Sequence, residues 1–211
     1  MSLSVHTLFL RSGRKEERSP YGVVFPGRGA WKGMSFFGVC EATAGAQEAL
    51  CAWALEEIQR HLARSRSSLT KGLEQAVQAC HLSLAQAQEA HPPNAQTGLG
   101  IVVGALRGDE VTLAWAGPGL VCLKEGQTLH LLPQTAASPI GQGKTPLAVS
   151  LRRFTFPPAQ ALLVCQSHLR RLTTLQGLEV VLSATPQQSL DRLHALLRDD
   201  PAFAAVLVSG P

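Results

Sequence analysis

Glu41 is the one acidic residue at a turn of small residues that joins a buried strand to a helix, in the stretch FFGVCEATAGAQEALCAWALEEI over 36–58. Such junctions often hold metal ions or phosphate groups, because the free N–H groups of the helix point into the loop. Glu41 is therefore a candidate for a metal or phosphate site. The alternative is that it is an N-terminal acid of the helix, stabilised there by the helix dipole.

Ser167 and His168 are a second place where residue types could do chemistry, because a serine can act as a nucleophile and a histidine as its base. Side chains adjacent in the chain rarely face each other productively, and no acid close by in the sequence orients the histidine. We therefore expect these two residues to lie in a surface turn and to take no part in catalysis.

Apolar alternation and helical spacing predict the elements that position these residues. Strands and two long helices come first, then further strands, a pair of helices and a closing apolar strand. The predicted strands cover 4–10, 21–25, 35–40, four runs within 97–133 interpreted as a β-meander, 149–156, 160–165 and 204–208. The predicted helices cover 44–64, 69–90, a short segment after Ser167, and 186–198.

Strand-rich segments on both sides of a pair of long helices predict an α+β protein, a four-layer α/β/β/α sandwich. In it two antiparallel sheets pack together and helices cover their outer faces. The predicted core residues are Phe36, Val39, Trp53, Leu73, Val77, Val102, Leu113, Leu163, Val164 and Val206.

The composition narrows the class of protein. The 211 residues are 45% hydrophobic and 16% charged, which excludes a disordered chain and predicts a single domain over 1–211. The net charge of +4 comes from scattered arginines and lysines, and there is one tyrosine, so we expect no nucleic-acid binding. Five cysteines without a CxxC pair, no signal peptide and no apolar run of about 18 residues predict a cytoplasmic protein that does not enter a membrane.

Four segments, taken in order, resemble the PPM-type metal-dependent Ser/Thr protein phosphatases, which include the phosphatase domain of stage II sporulation protein E. FFGVCEATAGAQEA is similar to their F-F-G-V-x-D-G-H-G-G-x-x-A segment. VTLAWAGPGLVCLKEGQTLHLLP resembles their v-A-n-v-G-D-S-R segment and the strands after it, and PPAQALLVCQSHL resembles p-x-D-x-l-l-l-c-S-D-G-L. FAAVLV resembles the closing D-N-x-T-v-v-V strand.

The resemblance implies a cleft in which carboxylates hold two divalent cations that activate a water molecule. In this sequence the matching positions have mostly lost those acids. The aspartate of D-G-H-G-G falls on Glu41 and the next glycine on Ala42, while the aspartate of G-D-S-R falls on Pro118. The remaining matches are Ser167 and His168 for S-D-G-L, and Ala202 and Phe203 for the terminal D-N.

The resemblance also implies an N-terminal R-x-x-N-E-D motif, which the stretch RSGRKEE matches only with an insertion. Arg11 or Arg14 would be the phosphate-binding arginine, and Glu16 and Glu17 would be the acids. The alternative is that this stretch is a run of charged residues exposed to solvent, with no role in a site.

Three hypotheses for function follow from these losses. The first is a pseudophosphatase that needs no cofactor and acts by binding a protein partner of a signalling pathway. The second is a weakly active Ser/Thr phosphatase that uses Mg²⁺ or Mn²⁺ at a site rebuilt from Glu41, Glu16 and Glu17. The third is a structural or dimerisation domain, in which the chain would form a homodimer.

Overall fold

The computed structural model describes residues 3–45, 47–89, 97–132, 138–143, 146–156 and 160–210. The strands are β1 (Ser4–Arg11), β2 (Arg14–Glu16), β3 (Gly22–Pro26), β4 (Ser35–Ala42), β5 (Leu99–Arg107), β6 (Glu110–Ala116), β7 (Leu120–Glu125), β8 (Thr128–Leu132), β9 (Ser150–Thr155), β10 (Ala161–Cys165) and β11 (Ala202–Ser209). The α-helices are α1 (Glu48–Arg64), α2 (Leu69–Ala87), α3 (Leu169–Leu172), α4 (Leu175–Leu182) and α5 (Pro186–Leu196).

Two antiparallel sheets form the centre of the molecule. One has six strands in the order β2-β1-β11-β10-β7-β8, and the other has five in the order β3-β4-β5-β6-β9. Helices α1 and α2 pack on the five-stranded sheet, and α5 packs on β1 and β11 of the six-stranded sheet. The predicted α/β/β/α sandwich is confirmed.

Alternation along β10 and β11 divides the buried residues into two cores. Val164 and Val206 point into the main core, which fills the space between the sheets and beneath α1 and α2. Leu163 and Phe203, on the opposite faces of the same strands, point into the second core beneath α3, α4 and α5. This is the two-residue period of a strand whose two faces are both covered.

Nine of the ten predicted core residues are buried, and Trp53 is the exception. Its side chain is only partly buried and packs against the main core from the side of α1. Its helical spacing was compatible with burial, but in this part of α1 the neighbours Ala54 and Leu55 are the buried residues.

The predicted β-meander over 97–133 is wrong in its topology. Strands β5 and β6 lie in the five-stranded sheet, whereas β7 and β8 lie in the six-stranded sheet. The turn Gly117-Pro118-Gly119 makes this change of sheet. The backbone of Gly117 has a φ of 70°, a conformation that residues with a Cβ rarely adopt.

Three further boundaries differ from the prediction. Helix α1 begins at Glu48 and not at Ala44, and Glu41 lies in β4. The interpretation of Glu41 as an N-terminal acid of the helix is therefore wrong. Strand β2 forms from the charged run after β1, and α4 follows α3 where a single short helix was expected. No helix among the described residues combines the length and apolar composition of a membrane span.

Candidate functional site

A cleft of about 610 Å³ lies where several elements end. Strand β4 ends at it, β11 begins at it, and the chain enters it directly after β10. Six residues singled out in the sequence line this cleft, so segments far apart in the chain meet at one place. They are Glu41, Ala42, Pro118, Ser167, His168 and Ala202.

Glu41 is the carboxylate at the centre of the interactions in this cleft. Its residue is 8% exposed, and its Oε2 accepts a hydrogen bond of 2.6 Å from the backbone N–H of Ser167. Its Oε1 is buried and has no hydrogen-bond partner in the part of the chain that the structure describes. Burial raises the pKa of Glu41, while the hydrogen bonds of Ser167 and the nearby His168 and Arg171 act in the opposite direction.

His168 is held by an acid that the sequence analysis did not identify. Its Nε2 lies 2.8 Å from Oδ2 of Asp200, and its ring packs edge-on against Phe203. The other oxygen of Asp200 accepts the backbone N–H of Ala202 at 3.1 Å. The expectation that no acid orients this histidine is therefore wrong. The available signal was Asp200 itself, two residues before the matched position Ala202.

Gln166 is the second residue that the sequence analysis missed. It is buried, donates from Nε2 to the carbonyl of Cys40 at 3.3 Å, and accepts the N–H of Ala204 at 3.2 Å. This amide connects β4 to β11 across the two sheets. It therefore holds the strands on which Glu41 and Ala202 lie in a fixed relation.

Phe203 does not line the cleft. Its side chain is fully buried in the second core, where it supports the ring of His168 from below. Residue 203 is the second residue of β11, so its side chain points away from the face that carries Ala204 into the main core.

The N-terminal charged residues are spread over a hairpin. Arg11, at the end of β1, forms an exposed ion pair of 2.9 Å with Glu48, which lines the cleft. Arg14 and Glu16 lie exposed in β2, and Glu17 lines a separate pocket near β3. Neither Glu16 nor Glu17 lines the cleft, so the structure does not bring them to Glu41.

The donor set of the cleft does not fit two divalent cations, which need many oxygen ligands. Its carboxylates are Glu41, Glu48 and Asp200, and each has a donor from the protein itself: Ser167, Arg11 and His168. Within the described residues there is no group of three or more His, Cys, Asp or Glu side chains that could hold a metal ion.

No protein-family model matches this sequence, and no curated protein is significantly similar to it. Solved structures are similar in fold. The serine/threonine phosphatase Stp1 from Staphylococcus aureus has a TM-score of 0.78 and 11% identity, covering 100% of this chain and 96% of that one. PppA, described as a key regulatory component of T6SS in Pseudomonas aeruginosa, has a TM-score of 0.74 and 15% identity over 99% of this chain and 98% of that one.

A third structure of similar fold is the catalytic domain of the serine/threonine protein phosphatase PstP in complex with two manganese ions. Its TM-score is 0.70 and its identity 15%, over 98% of this chain and 96% of that one. The chain described here therefore has the fold of the PPM-type Ser/Thr phosphatases.

Proposed function

We propose that this chain, which has a phosphatase fold, is a pseudophosphatase: a regulatory domain that binds another protein of a signalling pathway and does not hydrolyse phosphate. The observation that carries this proposal is the state of the carboxylates in the cleft. Asp200 and Glu48 are paired with His168 and Arg11, and among the described residues Oε1 of Glu41 is a buried oxygen without a partner.

The ligand chemistry of the matched positions supports the loss of activity. A hydroxyl at Ser167, a methyl group at Ala202 and a proline ring at Pro118 cannot replace carboxylates around a dinuclear site. The residues of the cleft instead hold one another: Gln166 connects the strands, and Glu41 fixes the turn at Ser167. Such a concave surface, whose strands are connected by hydrogen bonds, suits recognition of a partner.

Two further features are in keeping with a regulatory domain in the cytoplasm. The five cysteines are free and buried, as expected in a reducing compartment. PppA, one of the proteins of similar fold, is itself described as a regulatory component.

A weakly active Mg²⁺- or Mn²⁺-dependent phosphatase is the second candidate. The unpartnered Oε1 of Glu41 favours it, because a free carboxylate oxygen in a cleft is what a cation would bind. The residues available for it are Glu41, Glu48 and Asp200, rather than Glu16 and Glu17.

Turnover of p-nitrophenyl phosphate in Mn²⁺ discriminates the two candidates. We expect no hydrolysis above background. Mn²⁺-dependent turnover that disappears in Glu41→Ala would overturn the pseudophosphatase proposal, because it would mean that Glu41 serves a working metal site.

Restoring acids gives a positive control for the family chemistry. We expect a variant with Glu41→Asp, Ser167→Asp and Ala202→Asp to bind Mn²⁺ in isothermal titration, whereas the parent does not. Phe203 is left unchanged because it is fully buried. A folded variant that gains no Mn²⁺ affinity would contradict the interpretation of these positions as lost metal ligands.

A further inference from the structure

The cleft contains a buried polar atom that has no hydrogen-bond partner among the described residues. Oε1 of Glu41 is buried without a partner, in a residue that is 8% exposed. Leaving a buried acceptor unsatisfied is unfavourable, more so for a charged group. Two other polar side chains of the cleft already have partners, since Asp200 has His168 and Gln166 has the carbonyl of Cys40. A ligand that brings a donor to Oε1 would therefore supply the hydrogen bond that this oxygen lacks.

The charge of the cleft selects the kind of donor. Three acidic side chains, Glu41, Glu48 and Asp200, line it together with Arg171. Even when Arg11, which pairs with Glu48, is included, the acids outnumber the arginines by three to two. The whole chain, by contrast, carries a formal charge of +4. A negative cleft on a positive protein favours a cationic ligand over a phosphate or a carboxylate.

A basic side chain fits this cleft better than a metal ion does. A divalent cation needs six or more oxygen ligands, whereas an ammonium or guanidinium group is satisfied by one carboxylate and a few further acceptors. Tyr21, Pro118 and Ala202 offer apolar surface along the lining for the methylene groups of a long side chain. The volume of about 610 Å³ leaves room for the backbone that carries such a side chain.

We propose that the cleft binds a lysine or arginine side chain of a protein partner, with the carboxylate of Glu41 as its acceptor. This inference rests on the proposed regulatory function and names the chemistry of the partner. Oε1 itself is buried, so the incoming donor reaches it after the Glu41 carboxylate rotates. This rotation is easy, because the terminal torsion of a glutamate side chain takes a broad range of angles. Tyr21 also lines this cleft, and an aromatic ring close to a bound cation adds to its attraction.

Short blocked peptides test this site in the intact chain. Acetyl-Gly-Arg-Gly-amide, acetyl-Gly-Lys-Gly-amide and the neutral isostere acetyl-Gly-citrulline-Gly-amide are titrated into ¹⁵N-labelled protein. The amide of Ser167 is the reporter, because it donates to Glu41. We expect a saturable shift of this amide with at least one of the basic peptides, at millimolar affinity as suits so small a ligand, and none with the citrulline peptide.

Two matched variants make the result specific. Glu41→Gln keeps the shape of the side chain but removes its charge, and we expect it to weaken binding of the basic peptide about tenfold or more. Glu56→Gln, an exposed residue of α1 that does not line the cleft, should leave binding unchanged.

Three outcomes would overturn the proposal: equal shifts with the citrulline peptide, undiminished binding by Glu41→Gln, or no saturable shift with either basic peptide. None of these outcomes would contradict the proposed function. That proposal is contradicted separately, if the parent protein hydrolyses p-nitrophenyl phosphate with Mn²⁺.

Discussion

The second core and the cleft are built from the same two strands, yet they differ in how their residues are stabilised. Leu163 of β10 and Phe203 of β11 are fully buried among apolar side chains. Directly beyond the ends of these strands, Ser167 and Asp200 line the cleft and are held by hydrogen bonds to Glu41 and His168. The second core is therefore stabilised by the apolar area that it buries and by close packing, whereas the cleft is stabilised by individual hydrogen bonds between polar residues.

This difference has a consequence for evolution of function on one fold. A core of this kind tolerates few changes of volume. The polar residues of a cleft at strand ends can be exchanged without loss of the layers beneath them, because they fill little of the core. One sandwich can thus carry different residues in its cleft while its layers are kept.

The largest expected effect tests the core. Leu163→Ala removes a fully buried side chain from the second core and should lower the free energy of unfolding by about 2–5 kcal/mol. Urea denaturation measures this change. Leu82→Ala is the matched control, since Leu82 is 52% exposed on α2 and should change stability by less than about 0.5 kcal/mol. Equal effects of the two substitutions would contradict the assignment of Leu163 to the core.

The next effect tests the backbone contact that shapes the cleft. A Cβ added at Gly100 would lie 1.7 Å from the carbonyl oxygen of Pro118, so this strand and the turn between β6 and β7 cannot both keep their positions. Gly100→Ala should cost about 1–3 kcal/mol, as overpacking does, and should move the Pro118 turn.

Gly38→Ala is the control for Gly100→Ala. Its added Cβ would meet a methyl group of Leu55 at 3.1 Å, and a side chain can shift more readily than a backbone carbonyl. Chemical denaturation of both variants should show the greater loss for Gly100→Ala. The reverse order would mean that the turn does not pack on β5 as described.

A smaller effect concerns the pH dependence of stability through Glu41. Burial raises the pKa of this carboxyl above its ordinary value of 4.5, so the folded protein holds the proton more strongly than the unfolded chain does. Its contribution is present below pH 4.5 and is lost as the pH rises through the raised pKa. Relative to the parent, Glu41→Gln should therefore gain stability as the pH rises above 4.5.

Denaturation of the parent and of Glu41→Gln at a series of pH values gives this difference directly, because all other titrating groups are shared. A difference that stays constant with pH would mean that Glu41 has the same pKa in the folded and unfolded protein.

The smallest expected effect concerns the edge of the cleft. Arg11 and Glu48 form an ion pair in which the side chains are 61% and 42% exposed. A double-mutant cycle with Arg11→Ala and Glu48→Ala should give a coupling of about 0.2–1 kcal/mol that declines in salt. A coupling larger than this, or one insensitive to salt, would indicate that Arg11 belongs to the cleft rather than to its exposed margin.

Much of the fold could be predicted because its signals are local. Apolar alternation marks β1, continuous apolar runs mark β4, β10 and β11, and helical spacing marks α1 and α2. The positions of the cleft residues could be predicted only through the order of four segments that resemble one family. Glu41 and Ser167 do lie together, although 126 residues separate them.

The sequence by itself determined the layers, because burial on one or both faces of a strand or helix is written in the spacing of its apolar residues. Only the tertiary structure decided which sheet receives β7 and β8, because the Gly117-Pro118-Gly119 turn fits either a hairpin or a change of sheet. It also decided that Asp200 pairs with His168 and that Oε1 of Glu41 is buried without a partner from the described residues. Those contacts depend on which strand ends come close in the folded protein, and the spacing of residues within one segment does not determine this.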